Sequence, residues 1–398
     1  MTNSRALGWT AYVLMAAYAY IQYALGFITP YLRDDLRVPE SVAVLPNSIA
    51  ALGLVGGGFI AGEVAARIGP QTAARLWIAV MGAAGVTLAA RISLPVVLVA
   101  AGAFGVATAG VLTHVNSALG GGGGHGADTR LVRANLWAVA GAFVAPLVLA
   151  WAAEPGSVGW AAGLIVPVPV LALIAVILPP SPARDVAHQE TDPGRGRLPT
   201  PFWIAWLFIF VTVGTEFSFV VWGTSVVSAR TGLDVADATR LGSLFVGGMI
   251  AGRLLLSTGV GSGRRSLTLL RLCIGLAAIG AALTWVGSSQ VVAGAGLFLG
   301  GMGVSAFYPL GVGLALARAP SLPVSASARL TLASGSAIFA APLVLGVVAQ
   351  MVGVVTGWSL VLGLLAAGFC ILTRLSAVDG PEAGIAAPPA AGAPPPRD

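Results

Sequence analysis

Gly57-Gly58-Phe59-Ile60-Ala61-Gly62 returns in the second half of the chain as Gly247-Gly248-Met249-Ile250-Ala251-Gly252. Further along, Ala145-Pro146-Leu147-Val148-Leu149 returns as Ala341-Pro342-Leu343-Val344-Leu345, and that shift also lays Arg133 on Arg329. Either match alone could arise by chance in so biased a composition. Two matches at nearly equal offsets indicate a duplicated unit. All four stretches lie inside long apolar runs. A bilayer core needs roughly 20 apolar residues per helix, and windows of that length occur about twelve times along this chain. In the first half they fall near Trp9–Pro30, Val44–Ala66, Ala73–Ala90, Pro95–Ala118, Leu131–Ala152 and Trp160–Leu178. The second half gives Phe202–Ser228, Thr239–Ser257, Leu267–Val286, Val291–Ala317, Arg329–Met351 and Val354–Thr373. The expected fold is an all-α membrane protein of about 12 transmembrane helices, arranged as two pseudo-symmetric six-helix bundles.

Composition agrees. The 398 residues are 57% hydrophobic and only 9% charged, against roughly 25% charged in soluble domains. All 21 basic residues are Arg. Without lysine, Walker-type phosphate loops and Schiff-base or pyridoxal-phosphate chemistry are excluded. Cys273 and Cys370 sit in separate apolar segments and suggest neither zinc nor a disulfide framework. Gly120–Gly124 followed by His125 has the glycines of a phosphate loop but no GK[ST], so it reads as a flexible connection. No Ser/His/Asp set, zinc motif or haem motif stands out. The chain is therefore expected to be no enzyme, to bind no nucleic acid and to need no cofactor or metal. The N-terminal run lacks an A-x-A-like cleavage site and reads as a retained first span rather than a cleaved signal peptide.

Arginine placement sets the orientation through the positive-inside rule. With the N-terminus in the cytoplasm, most arginines fall on the inner side, and only Arg33, Arg37, Arg91, Arg230 and Arg240 on the outer. Both termini are then cytoplasmic in a multi-pass plasma (inner) membrane protein. The expected division is residues 1–178 as one bundle, 179–201 as a polar cytoplasmic linker and 202–374 as the second bundle. Residues 375–398 form an Ala/Pro-rich tail expected to be disordered.

A duplicated six-helix unit with a cytoplasmic linker resembles the major facilitator superfamily, and the likeness extends to about Thr373. That family's signature between helices two and three is roughly G-x-x-x-D-R-x-G-R-[KR]. Here it reads Gly62-Glu63-Val64-Ala65-Ala66-Arg67-Ile68-Gly69-Pro70-Gln71. Gly62, Arg67 and Gly69 match; Ala66 stands for the Asp and Pro70-Gln71 for the basic pair. Glu63, one turn away on nearly the same face, could supply the missing carboxylate. Gly214-Thr215-Glu216-Phe217-Ser218 with Trp222-Gly223, Gly248-Met249-Ile250-Ala251-Gly252-Arg253, and Phe307-Tyr308-Pro309-Leu310 resemble the fucose-permease-like branch. The resemblance implies a carrier with its cavity lined by helices one, four, seven and ten, helix two beside eleven, and five beside eight. Carriers of related halves bind solute between them near the midplane and expose it alternately by rocking. Pro146 and Pro342, at corresponding positions, are the candidate helix breaks, although membrane helices also tolerate proline without function. Glycine-rich faces such as Gly53, Gly57 and Gly58 allow close helix contact.

Of the 15 acidic residues, Glu216 alone sits at mid-membrane depth. A charge there costs about 2.5–3.5 kcal/mol on insertion scales, and no arginine of its own helix shares that depth. It is a candidate reversible proton carrier; the alternative is a permanently protonated Glu bonded to a neighbouring helix. Thr212, Thr215, Phe219 and Gly223 share its helical face, and Trp222 lies one turn and a half on. In the first span Tyr18, Gln22 and Thr29 share a face, with Tyr20 and Tyr23 elsewhere. His114 and Asn116 approach the cytoplasmic side of the fourth span, and the repeat sets His114 opposite Tyr308. A histidine there could relay protons or simply cap the helix. By the resemblance, Gln22, Asn116, Glu216 and Tyr308 rank highest as cavity residues. Glu63, Arg67, Asp128, Arg133, Arg253 and Arg329 are cytoplasmic gate candidates, with Glu63–Arg329 and Asp128–Arg253 as the pairs; ordinary positive-inside arginines are the plainer account.

The expected function is secondary active transport of a small solute by alternating access, as proton-coupled symport of a sugar-like or other polar metabolite. Proton-coupled efflux of a drug or metabolite is the alternative, and a membrane receptor that binds solute without moving it a distant one. Expected partners are the small-molecule solute, protons and the lipid bilayer, with the carrier itself a monomer.

Overall fold

In the computed structural model, residues 2–120, 125–178, 197–257 and 263–378 are described. The glycine loop 121–124, most of the linker 179–201 and nearly all of the tail 375–398 lie outside them, as does the side chain of Asp128. The described residues are helical, with no strand. Eleven helices are long and apolar enough to cross a membrane, or up to 12 when a bent pair counts as one span.

The first half contains α1 (Thr2–Phe27), α2 (Thr29–Leu36), α3 (Glu40–Ala43), α4 (Leu45–Ile68), α5 (Pro70–Ala90), α6 (Leu94–Gly120), α7 (His125–Ala153) and α8 (Val168–Ile177). The second contains α9 (Thr200–Thr231), α10 (Val235–Ser257), α11 (Gly263–Val286), α12 (Gln290–Val304), α13 (Phe307–Ala317), α14 (Pro323–Val352), α15 (Val354–Gly357) and α16 (Ser359–Val378). Their packing repeats between halves. Helix α4 packs on α6 as α10 does on α12; α1 on α7 as α9 on α14; α5 on α8 as α11 on α16. Across the halves α4 meets α14, α7 meets α10 and α1 meets α9. The second span thus lies beside the eleventh and the fifth beside the eighth.

Glycines explain how these helices come so close, and they correct the register of the repeat. A Cβ on Gly53 would strike Gly102 O on α6, and one on Gly248 would strike Phe298 O on α12. From the other side, a Cβ on Gly105 would strike Ala50 O, and one on Gly301 would strike Phe245 O. Gly57 meets Val106 O as Gly252 meets Met302 O. Gly53 is therefore the counterpart of Gly248, and Gly57 of Gly252. The lettered match of Gly57–Gly62 with Gly247–Gly252 is displaced from this by more than a helical turn. What the duplication has kept is a pair of glycines four residues apart, which puts both on one helical face. The corrected shift agrees to within a residue with the one joining Pro146 to Pro342.

Pro146 and Pro342 do not break their helices: α7 and α14 run through them. A proline removes one backbone donor and so frees the carbonyl four residues earlier. At Pro342 that is Ile338 O, and Asn47 Nδ2 of α4 stands 3.5 Å from it. Ser48 Oγ donates to the neighbouring Phe339 O at 3.1 Å. Side chains of the other half thus supply partners for carbonyls at the proline. The interruptions lie elsewhere. The first span bends by 52° between Phe27 and Thr29, just before Pro30. The sixth begins as a 3-10 helix, Trp160–Ile165, ahead of Pro167. The tenth divides between α12 and α13, where Pro309 has no N–H for Ser305 O. Gly159 and Gly353, at φ 87° and 85°, make the corresponding turns before the sixth and twelfth spans, a backbone region that disfavours side chains.

Candidate functional site

Helix α9 is buried along most of its length, and Glu216, 8% exposed, lies near its middle. Across the interface between halves, Tyr23 Oη of α1 donates to Glu216 Oε1 at 2.8 Å. Met249 Sδ of α10 lies 3.8 Å from the same hydroxyl, and the Phe217 ring stands 6.0 Å from the Tyr23 ring. Arg253, one turn along α10 from Met249 and half-buried, is the cation whose field acts on both Glu216 and Tyr23. Tyr18 lies near Tyr308 and Glu216, and Tyr308 lies near Ser334. One group of polar side chains therefore draws on the first, seventh, eighth, tenth and eleventh spans. Tyr308 is itself 43% exposed.

Gln22 is at the same level. It lies one turn from Tyr18 and one turn from Gly26, whose Cβ position meets Val220 Cγ1 on α9. It is 3% exposed, and neither amide atom has a hydrogen-bond partner. The remaining candidates are placed differently. Thr212 Oγ1 bonds back to Phe208 O at 2.8 Å within its own helix. Trp222 is fully buried, with Nε1 donating to Pro342 O at 2.9 Å, which ties α9 to α14. His114 is half-buried and Asn116 exposed on α6, and neither joins the group around Glu216. Tyr23 lies off the α1 face shared by Tyr18 and Gln22, and Arg253, a gate candidate by sequence, lies near Glu216 instead. A Tyr is long enough to reach sideways, and the clue was a tyrosine-rich run one span-repeat away from Glu216.

The two ends of the molecule differ. On the face away from the arginine-rich ends of the helices, Ser41 Oγ donates to Gln350 Oε1, and a Cβ on Gly346 would lie 3.4 Å from Ser41 Cα and Val44 Cγ1. Tyr31 Oη bonds Thr239 Oγ1 at 3.1 Å, and Arg240 pairs with Glu154 between halves. Along the α4–α14 seam, contact continues through Ser48 to Val55, which abuts Gly335. Beyond that level Phe59, Glu63 and Arg67 on α4 and Arg329 on α14 are exposed. Glu63 bonds Arg67 within its own helix rather than reaching Arg329, and Arg329 O accepts from Trp206 Nε1 at 2.8 Å. Arg133 is exposed on α7. Contacts across the seam are thus described from Ser41 to Val55, and the α4 and α14 residues beyond that level are exposed.

The Asn47 and Ser48 bonds are the polar part of those contacts. Asn47→Leu with Ser48→Ala is expected to loosen them, since two hydrogen bonds are worth about 1–3 kcal/mol together. In a background with Cys273→Ser and Cys370→Ser, a Ser41→Cys probe should then react about tenfold faster with a membrane-impermeant thiol reagent. An unchanged rate would mean that apolar packing alone holds this face shut.

Membrane-length helices packed in a repeated arrangement around a buried polar group are the architecture of a helical membrane transporter. Residues 9–342 match the Major Facilitator Superfamily, and the chain belongs to that family, one of transporters rather than enzymes. No curated protein matches the sequence. Among solved structures, a mutant of the nucleoside transporter NupG superposes with a TM-score of 0.75 at 13% identity, covering 93% of this chain and 99% of that one. A bacterial homologue of the human lysosomal transporter Spinster, inward-facing and occupied, gives 0.75 at 11%, covering 95% and 97%. The xylose transporter XylE from E. coli, in an inward-open conformation, gives 0.72 at 11%, covering 94% and 99%. At such identities the likeness is one of fold.

Proposed function

We propose that the protein is a proton-coupled secondary carrier that imports a small polar solute by alternating access. Residues 1–178 and 202–374 are the rocking halves and 179–201 the cytoplasmic linker, with α16 carrying the second half on to Val378 rather than ending at residue 374. The observation that carries this reading is the Tyr23–Glu216 bond, which joins the halves through a titratable carboxyl at mid-membrane depth. A proton on Glu216 changes what that carboxyl can accept, so protonation and rocking of the halves are linked at one bond. The arginine-rich face, where α4 and α14 are exposed beyond their contacts, is the cytoplasmic one by the positive-inside rule, which makes the conformation described here inward-facing. The segments resembling the fucose-permease-like branch, and sugar and nucleoside carriers among the similar structures, support a polar solute.

Arg67 and Arg329 lie at this exposed end, and Glu63 is free to exchange one for the other when it closes. Such exposed pairs are worth about 0–1 kcal/mol, small enough for a gate that must reopen. Spin labels test the motion directly. A pair at Ser41→Cys and Gln350→Cys should separate while a pair at Arg67→Cys and Arg329→Cys approaches, as pH or solute shifts the population. If both distances move in the same sense, or neither moves, the rocking account fails.

A further inference from the structure

We infer that Arg133, together with the indoles of Trp9 and Trp137, binds the phosphate of an anionic phospholipid in the cytoplasmic leaflet. All three side chains are exposed, Trp9 at 58% and Trp137 at 40%. The two rings meet edge to face with centroids 5.9 Å apart, which joins the start of α1 to α7. Arg133 lies one turn from Trp137 on the same side of α7. Among the described residues Arg133 forms no ion pair. The indole N–H groups of Trp160, Trp206, Trp222 and Trp358 are bonded inside the protein; those of Trp9 and Trp137 have no partner among the described residues. Arg and Trp side chains donate and do not accept, so the cluster suits the oxygens of an anion. Lipid covers this face. Arg133, Trp137, Ala140, Val144 and Trp151 recur at helical spacing along α7, and all are exposed. Arg133 and Trp151 stand about 27 Å apart along the helix, close to the thickness of a bilayer core, roughly 30 Å. Arg133 is then at headgroup depth at one end of the stripe and Trp151 at the other edge, where membrane tryptophans collect. Trp9 and Trp137 lie just beneath the arginine, at the level of the glycerol esters, and Val144 lies along the acyl chains. The orientation proposed above makes this the cytoplasmic leaflet, and an arginine without an acidic partner favours a lipid of net negative charge. Arg133, a gate candidate by sequence, thus serves the lipid-facing side of the first half.

The test uses the full-length protein in a neutral detergent, titrated with phosphatidylglycerol, phosphatidylcholine or glycerol 3-phosphate, with bound lipid resolved by native mass spectrometry. Wild type should bind its first phosphatidylglycerol at least about fivefold more tightly than phosphatidylcholine. Arg133→Gln should weaken that first step at least about tenfold, the loss of a charge-assisted hydrogen bond. Trp9→Leu with Trp137→Leu keeps the face apolar but removes both indole donors, and should weaken it at least about fivefold. Arg374→Gln, at an exposed arginine of α16, should leave it within about threefold of wild type, because only diffuse charge is lost there. All these side chains are exposed, so each variant should keep the monodisperse peak of wild type. Equal losses at Arg133 and Arg374 would mean general attraction of arginine to anionic lipid, and would overturn the inference. So would equal affinity for the two lipids, or full binding by the tryptophan variant. Displacement of the lipid by an equal concentration of glycerol 3-phosphate would place a soluble anion at the cluster and overturn it as well. The carrier reading rests on Glu216 and the seam, and stands or falls separately.

Discussion

Glu216→Gln is expected to leave solute exchange running and to stop uphill accumulation. The amide has nearly the shape of the acid and still offers an oxygen to the Tyr23 hydroxyl now 2.8 Å from Glu216 Oε1, but it cannot gain or lose a proton. With one proton moving per solute, a difference of one pH unit supports about tenfold accumulation, because a tenfold ratio and one pH unit are the same free energy. The variant should therefore settle at an inside-to-outside ratio of about one, whatever the pH difference imposed. Counterflow, which needs only binding and rocking, should stay within about threefold of wild type. Radiolabelled solute measured in both modes separates the two functions. Accumulation at the wild-type level would remove Glu216 from the coupling step.

The largest loss of folded protein is expected from a side chain at the glycine seams. At Gly105 and Gly301 an added Cβ meets a backbone carbonyl, Ala50 O and Phe245 O. No rotamer relieves contact with backbone, so the helices must separate. Overpacking usually costs about 1–3 kcal/mol and sometimes more, and both positions should reach or exceed the top of that range. Gly105→Val and Gly301→Val are expected to abolish a monodisperse peak in detergent chromatography. Gly58→Ala, where nothing lies within 4 Å of the added carbon, should behave as wild type. Equal effects at the two seams follow from their symmetric positions, and tolerance at either would mean that its helices are held apart by something other than close glycine contact.

Much of the fold was legible because membrane helices declare themselves by length and apolarity. The duplication was legible too, but its lettered register was not. Gly57–Gly62 and Gly247–Gly252 look alike because glycine and alanine are common in both helices, whereas the contacts align Gly53 with Gly248. Spacing of four along one face was the physical signal, and it is invisible to a letter-by-letter match. Pro146 and Pro342 misled as breaks because a sequence cannot show that Asn47 and Ser48 stand across from the carbonyls near Pro342. The real interruptions, at Pro30, Pro167 and Pro309, were prolines as well.

At the candidate site, depth along the helix drew attention to Glu216, and the face shared with Tyr18 drew attention to Gln22. Their partners came from other helices. Tyr23 lies off that face and reaches Glu216 through the length of its side chain; Arg253 acts from α10. Helical periodicity describes one helix at a time, and it gives no account of rotation between two. Thr212 shares the face of Glu216 yet spends its hydroxyl on its own helix, while Trp222 fastens α9 to Pro342.

The most direct measurement is solute uptake into sealed proteoliposomes holding wild-type protein, with an imposed inward proton gradient and no solute gradient. A carrier coupled to protons concentrates the solute inside, by about tenfold per pH unit for one proton each, and loses that accumulation when a protonophore is added. Uptake that stops at equal concentrations with the gradient intact, and is untouched by the protonophore, would contradict proton coupling.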